Sequence, residues 1–251
     1  MTTTTPMGEA DLEFDHGSFD SAGFTQQIMA NWPSVAAVID HTILKPEATR
    51  EQVEVLCDEV VRYRFACAMV NPVWASIAVG MLQGTGIPVG VVIGFPFGAS
   101  LVSTLRQEAA ALTRMGVREL DMVVPIGQLK SGNHQAVEHT IRAAANVAHH
   151  HGAILKVILE TALLSVEEKL RGAELAIHAG ADFLKTSTGF ASGGATVADV
   201  ALLRGVAGAR CGVKASGGIR KLADVRAMLE AGANRIGASA SVAIVREMGA
   251  E

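Results

Sequence analysis

The stretch Ile154–Phe190, ILKVILETALLSVEEKLRGAELAIHAGADFLKTSTGF, decides the fold. Its first seven residues, ILKVILE, form a near-continuous apolar run, as expected of a parallel strand buried on both faces. Ser165 opens an amphipathic segment, and HAGADFLK ends it. Gly180 in that segment supplies the left-handed conformation that stops a helix. A second apolar run, FLKTS, starts at Phe183. Strand, helix and parallel strand within roughly thirty residues make one βαβ unit. Lys185 interrupts the second run, and a buried lysine without a partner is costly and tends to lose its proton.

The same unit recurs along the chain. Further strand candidates are VAAVID (35–40), FACAMVN (65–71), PVGVVIGFP (88–96), ELDMVVP (119–125), GVKAS (212–216) and RIGAS (235–239). Helical segments are expected after Pro46 and Pro72, then from Ser100, Asn133, Ser165, Thr196 and Leu222, with a last one from Ala240. RMGVRELD and EAGANRIG repeat the helix-to-strand turn, with Gly116 and Gly232 in place of Gly180. Eight such pairs predict a closed (β/α)8 TIM barrel over residues 34–251, a fold of roughly 250 residues. Residues 1–33 are polar, threonine-rich and acidic. They read as a partly disordered extension with a short docking helix near Phe24–Asn31.

Composition narrows the function classes. The chain has 251 residues, 49% of them apolar, and a formal net charge of −4. Its pI is near 6.1 and its mean hydropathy +0.32. No global basic field draws it to nucleic acid, and no apolar segment is long and charge-free enough to span a bilayer. Cys57, Cys67 and Cys211 form no CxxC pair, which suggests free thiols in a reducing compartment. The first residues do not resemble a signal peptide, so the cytoplasm is the expected location.

In a barrel of this kind the active site lies at the C-terminal ends of the strands. The polar residues late in the predicted strands are Asp40, Asn71, Asp121, Lys156, Glu160, Lys185 and Lys214. Alternation along a strand turns Lys185 inward and Leu184 and Thr186 toward the helices, and puts Lys156 on one face with Ile158 and Glu160. Three lysines and one aspartate are thus expected to converge. A lysine among other cations has a lowered pKa, and its neutral amine can form a Schiff base. This reading needs the Lys185 ε-amine to face the pocket, free of a tight acidic partner. ASGGIR (215–220) follows strand seven and IGAS (236–239) forms the end of strand eight, where glycine-rich segments hold phosphate through backbone N–H groups. Gly217, Gly218, Ser239 and Gly189 are the candidates. The bland alternatives are lysines paired with carboxylates and ordinary turn glycines.

DHTILKP (40–46), ELDMVVPIGQLKSG (119–132), LKVILET (155–161), GADFLKTSTGF (180–190) and GVKASGGIR (212–220) together resemble the deoxyribose-phosphate aldolases. The resemblance runs from about Val38 to about Val245. It implies a class I aldolase that reversibly cleaves 2-deoxy-D-ribose 5-phosphate to D-glyceraldehyde 3-phosphate and acetaldehyde, with neither metal nor cofactor. It makes Lys185 the Schiff-base lysine, Lys214 the neighbour that lowers its pKa, and Asp121 the proton-relay carboxylate. Lys156 supports the same network. Thr42, Leu44, Thr186, Thr188, Gly189, Gly217, Gly218, Gly237 and Ser239 would contact substrate. The implied ligands are a phosphorylated sugar and aldehydes, and the assembly a homodimer.

The chain departs from the family pattern at several points. Phe190 stands where some members carry a phosphate-binding lysine, and Ala240 where some carry a second serine. Met69 falls where some have a reactive cysteine, and the tail REMGAE lacks a tyrosine that some members bring to the site. Three other readings compete: a Schiff-base aldolase for another phosphorylated substrate, a metal-dependent aldolase or epimerase, and a non-catalytic sugar-phosphate sensor. The metal reading is weakened because no histidine or carboxylate cluster is expected at strand ends. His149, His150 and His151 read as a solvated helix end. His41 reads as pocket wall or packing, and Trp32 and Trp74 as core or interface.

Overall fold

The computed structural model describes residues 18–251; the earlier part of the polar lead lies outside the described residues. Eight parallel strands close on themselves in chain order. They are β1 (Ile39–Ile43), β2 (Cys67–Val70), β3 (Val89–Ile93), β4 (Glu119–Val123), β5 (Ile154–Ile158), β6 (Phe183–Lys185), β7 (Gly212–Ser216) and β8 (Arg235–Ala238). Two helices precede the barrel, α1 (Ser21–Ile28) and α2 (Trp32–Ala36). The outer layer then holds α3 (Arg50–Tyr63), α4 (Ala75–Leu82), α5 (Val102–Met115), α6 (Ile126–Lys130) and α7 (His134–His150). It continues with α8 (Val166–His178), α9 (Val197–Ala207), α10 (Leu222–Glu230) and α11 (Ser241–Arg246). The predicted (β/α)8 barrel is the observed fold.

Local chemistry explains where the elements begin and end. Thr49 with Gln52, and Ser165 with Glu168, form reciprocal capping boxes that start α3 and α8. Gly116, Gly180 and Gly232 all have positive φ, as the repeated turn requires. One boundary differs from the sequence reading. VAAVID is not a strand: Asn31 accepts from Ser34 N at 3.0 Å and Pro33 sits in the first turn, so Val35 and Ala36 are helical. The strand starts only at Ile39, which places Asp40 inside β1 instead of after it.

Side chains divide by strand parity. Leu155, Val157, Leu159, Leu184, Val213 and Ala215 belong to the large apolar core shared with the helices. Inside the barrel, Leu44, Cys67, Met69 and Val92 form a small apolar cluster with Phe95. Gly90 makes room for it, since a Cβ there would lie 2.4 Å from Met69 Cε. The remaining interior, from β4 round to β1, carries charge.

The docking helix expected near Phe24–Asn31 is α1, shifted toward the N-terminus. It packs on α10, while α2 packs on α11. Phe19 lies under the Arg204 guanidinium, 4.2 Å from carbon to ring centroid. The histidine run is not simply solvated: His149 Nε2 is 2.9 Å from Asp182 Oδ2, which also accepts from Leu155 N. Trp32 and Trp74 are half-buried against the core.

Candidate active site

Sheet register lines up the basic residues. Lys185 on β6 pairs with Lys214 on β7, and Lys214 with Arg235 on β8. Asp121 on β4 pairs with Lys156 on β5. All point inward, and their ends meet. Asp121 Oδ1 lies 2.8 Å from Lys156 Nζ, and its Oδ2 lies 2.7 Å from both Lys185 Nζ and Lys214 Nζ. Asp40 takes Lys214 and Arg235, with Lys156 at 3.4 Å. Glu119 takes Lys156 and, through both oxygens at 2.9 Å, Arg235.

The expected trio of lysines and one aspartate is therefore a larger cluster. Four basic side chains share three carboxylates. Asp40 was missed as a member because β1 was placed too early. Glu119 and Arg235 open their strands, and a search confined to polar residues late in strands passes over them. Their one signal was charge at an inward strand position.

Lys185 is not free of an acidic partner, contrary to the requirement set by the sequence reading. Asp121 is shared among three ammonium groups, however, so it is no dedicated counter-ion. Burial pushes Lys185 down, Asp121 pushes it back up, Lys214 pushes it down again, and the result is about 8. Burial thus outweighs the cationic neighbour. Lys156 behaves in the opposite way: burial opposes its charge, but Asp121, Asp40 and Glu119 hold it well above the usual lysine range. For Asp121, burial opposes ionisation, and Lys156, Lys185 and Lys214 together hold it well below the carboxylate range. With all its groups charged, the cluster carries one excess positive charge. Loss of the Lys185 proton balances it, and an uncompensated buried charge is what the interior least tolerates.

A cavity of about 740 Å³ opens at the C-terminal ends of the strands. Lys185 and Lys214 reach it, as do Thr42, Leu44, Thr188, Gly189, Gly217, Gly218, Gly237 and Ser239. Asp121 and Lys156 do not line it; they lie behind the two pocket lysines. Thr186 does not line it either. Its hydroxyl donates to Ser216 O and accepts from Ser216 N, both at 3.1 Å, tying β6 to β7. Gly237 has a second use: a Cβ there would lie 3.0 Å from Lys214 Cε. His41 lines the cavity with Nε2 2.7 Å from Glu59, and its ring packs on Phe65. Both readings of that histidine apply.

At the phosphate-type turns, Gly189, Gly217 and Gly218 all have positive φ. Among the described residues, apart from the chain neighbours, no atom lies within 4 Å of a Cβ built on Gly189 or Gly218, so the backbone is open there. Gly194 packs on Gly217, where a Cβ would meet Gly217 O at 2.4 Å, and Ala195 N donates to that oxygen. Phe190 stacks edge-on against Phe95 at 5.3 Å. Arg220, unassigned by the sequence reading, brings a cation to the same mouth.

One acidic cluster does exist, at the starts of strands. Asp40, Cys67 and Glu119 offer ligand atoms within 4.8 Å of one another. Their carboxylates are already held by Lys156, Lys214 and Arg235, and burial pushes the Cys67 thiol well up. That donor set suits ammonium and guanidinium groups, not a metal ion. No helix among the described residues is long and apolar enough to cross a membrane.

The profile of the DeoC/LacD family of aldolases matches residues 34–250. A deoxyribose-phosphate aldolase of Caldanaerobacter subterraneus subsp. tengcongensis is 50% identical over 215 residues, 85% of this chain and 93% of its own length. One from Listeria monocytogenes is 50% identical over 212 residues, 84% and 95% of the two chains. Among solved structures, the deoxyribose phosphate aldolase of Aeropyrum pernix, described as tetrameric, superposes with a TM-score of 0.84 at 33% identity. That match covers 91% of this chain and 96% of the other. Barrel, lysine cluster and near-complete coverage agree: the chain belongs to the DeoC/LacD family of aldolases.

Proposed function

We propose that this chain is a class I aldolase that reversibly cleaves 2-deoxy-D-ribose 5-phosphate to D-glyceraldehyde 3-phosphate and acetaldehyde. One observation carries the reading. Of four inward-facing cations sharing three carboxylates, Lys185 faces the cavity with its pKa lowered to about 8. Its neutral amine attacks C1 of the open-chain sugar, and loss of water gives an iminium. The iminium is the electron sink, so no metal is needed. Asp121 lies behind the pocket lysines, so it takes the C3 hydroxyl proton through a bridging water, not by direct contact. The C2–C3 bond then breaks, leaving an enamine and glyceraldehyde 3-phosphate. Protonation and hydrolysis release acetaldehyde and restore Lys185. Lys214 tunes Lys185, and Lys156 fixes Asp121 from behind.

Gly189, Gly217, Gly218, Ser239 and Arg220 form the phosphate end of the cavity, with Arg220 supplying charge that Phe190 lacks. Thr42 and Leu44 wall the sugar. The catalytic unit is the barrel of residues 34–251, with residues 1–33 as its extension, acting in deoxyribose phosphate catabolism in the cytoplasm. The assembly is a homo-oligomer, in the simplest case a dimer, and neither nucleic acid nor a membrane enters the reading. The test is a coupled assay for glyceraldehyde 3-phosphate released from deoxyribose 5-phosphate. Release is expected. Turnover with dihydroxyacetone phosphate as donor in place of acetaldehyde would assign another Schiff-base aldolase, and phosphate binding without turnover would assign a sensor.

A further inference from the structure

Glu160 ends the β5 run in an uncommon state. Its backbone sits at φ 56, ψ 63, the left-handed region that non-glycine residues rarely enter. Such strain persists only where the surroundings impose it, and it gathers at functional sites. The residue is 2% exposed, yet no basic group pairs with its carboxylate among the described residues. Oε2 instead accepts from Thr188 N at 3.2 Å and from the Thr188 hydroxyl, while Oε1 has no partner among the described residues. Thr188 Oγ1 in turn accepts from Phe190 N at 3.0 Å. On either side, Leu159 N donates to Lys185 O and Thr161 N to Thr186 O, at 2.9 and 3.0 Å. The strained residue is thus fixed between two amides that hold the end of β6.

This arrangement occupies the two amides that flank Gly189. Thr188 N and Phe190 N are both occupied, directly by Glu160 or through the hydroxyl it orients. Among the described residues the Gly189 N–H between them has no acceptor, and Gly189 lines the same cavity as Gly217 and Gly218. We infer that Glu160 is a positioning residue which, through Thr188, presents the Gly189 N–H to the phosphate of the substrate. The inference rests on the reading that this mouth takes a phosphate. It gives the buried carboxylate a purpose that Schiff-base chemistry leaves unassigned. Lys185 is held separately by β6 pairing and by Asp121, so the two halves of the site can fail independently.

The experiment compares two readouts in the full chain. Inorganic phosphate binding is followed by ³¹P NMR titration, and trapping of acetaldehyde on Lys185 by borohydride reports the amine. Glu160→Ala is expected to weaken phosphate binding, and to raise the KM for deoxyribose 5-phosphate, by about tenfold or more, as befits two buried donors losing their acceptor. Trapping should fall by less than about threefold. Glu160→Gln keeps an acceptor for Thr188 and should recover most of the loss. If Glu160→Ala does not fold, Thr188→Val carries the same expectation, because it removes the hydroxyl link alone. Equal losses in both readouts, unchanged phosphate binding, or a glutamine variant no better than alanine would overturn the inference. A wild-type chain that binds phosphate but does not cleave deoxyribose 5-phosphate would instead sink the substrate assignment, leaving Glu160 to be judged on phosphate binding.

Discussion

At the scale of single residues, Lys185 sets the pH dependence. With its pKa near 8, the neutral amine is roughly a tenth of the population at pH 7 and falls about tenfold for each further unit of acid. kcat/KM should therefore rise with pH through about 8 and then level off, in a free-enzyme profile. Lys214→Ala removes a cation that pushes Lys185 down and frees more of Asp121 to push it up. Both changes move the midpoint to higher pH, with a large loss of rate at pH 7. An unmoved midpoint would deny Lys214 its tuning role. Lys185 was legible in the sequence because a lysine stood inside an apolar run. Asp40 was harder to see, since its meaning depended on where β1 begins, and the Asn31 cap with Pro33 moved that point by four residues.

At the scale of elements, the glycines of the turns after β6 and β7 and of the end of β8 do different work although they look alike in sequence. Gly189 and Gly218 leave backbone open to the cavity, whereas Gly194 lets one loop rest on another. Gly237 seats the Lys214 side chain. Gly237→Ala should displace Lys214 and cut kcat substantially, while costing only about 1–3 kcal/mol of stability, the usual range for one added methyl in a packed site. Steady-state kinetics beside a denaturant melt would check it; full activity would mean that Lys214 has slack. Helix and strand order was readable from the alternation of apolar runs with capped segments. What each glycine faces was not, because that depends on neighbours brought in from other strands. Thr186 shows the same limit: its place in KTSTG suggested substrate contact, but strand parity turns it toward Ser216.

At the scale of the whole molecule, the barrel is half apolar and half ionic inside, and the ionic half ties β1, β4, β5, β6, β7 and β8 together. Asp121 is held well below the carboxylate range in the fold. A depressed carboxylate contributes stability that is present above its unfolded value, near 3.9, and is lost as pH falls below it. The urea midpoint should accordingly fall as pH drops through about 4, and Asp121→Asn should flatten that fall. An unchanged pH slope in the variant would remove Asp121 as a stabilising link. The fold as a whole was evident from eight repeated units, while the cluster's charge balance emerges only when six strands are closed into a ring. That balance makes Lys185 the group that gives up its proton, and it can be tested directly. Borohydride added with deoxyribose 5-phosphate, followed by peptide mapping, should place a single reduced adduct on Lys185. A label on Lys214 or Lys156, or no label in a catalytically active sample, would contradict the account.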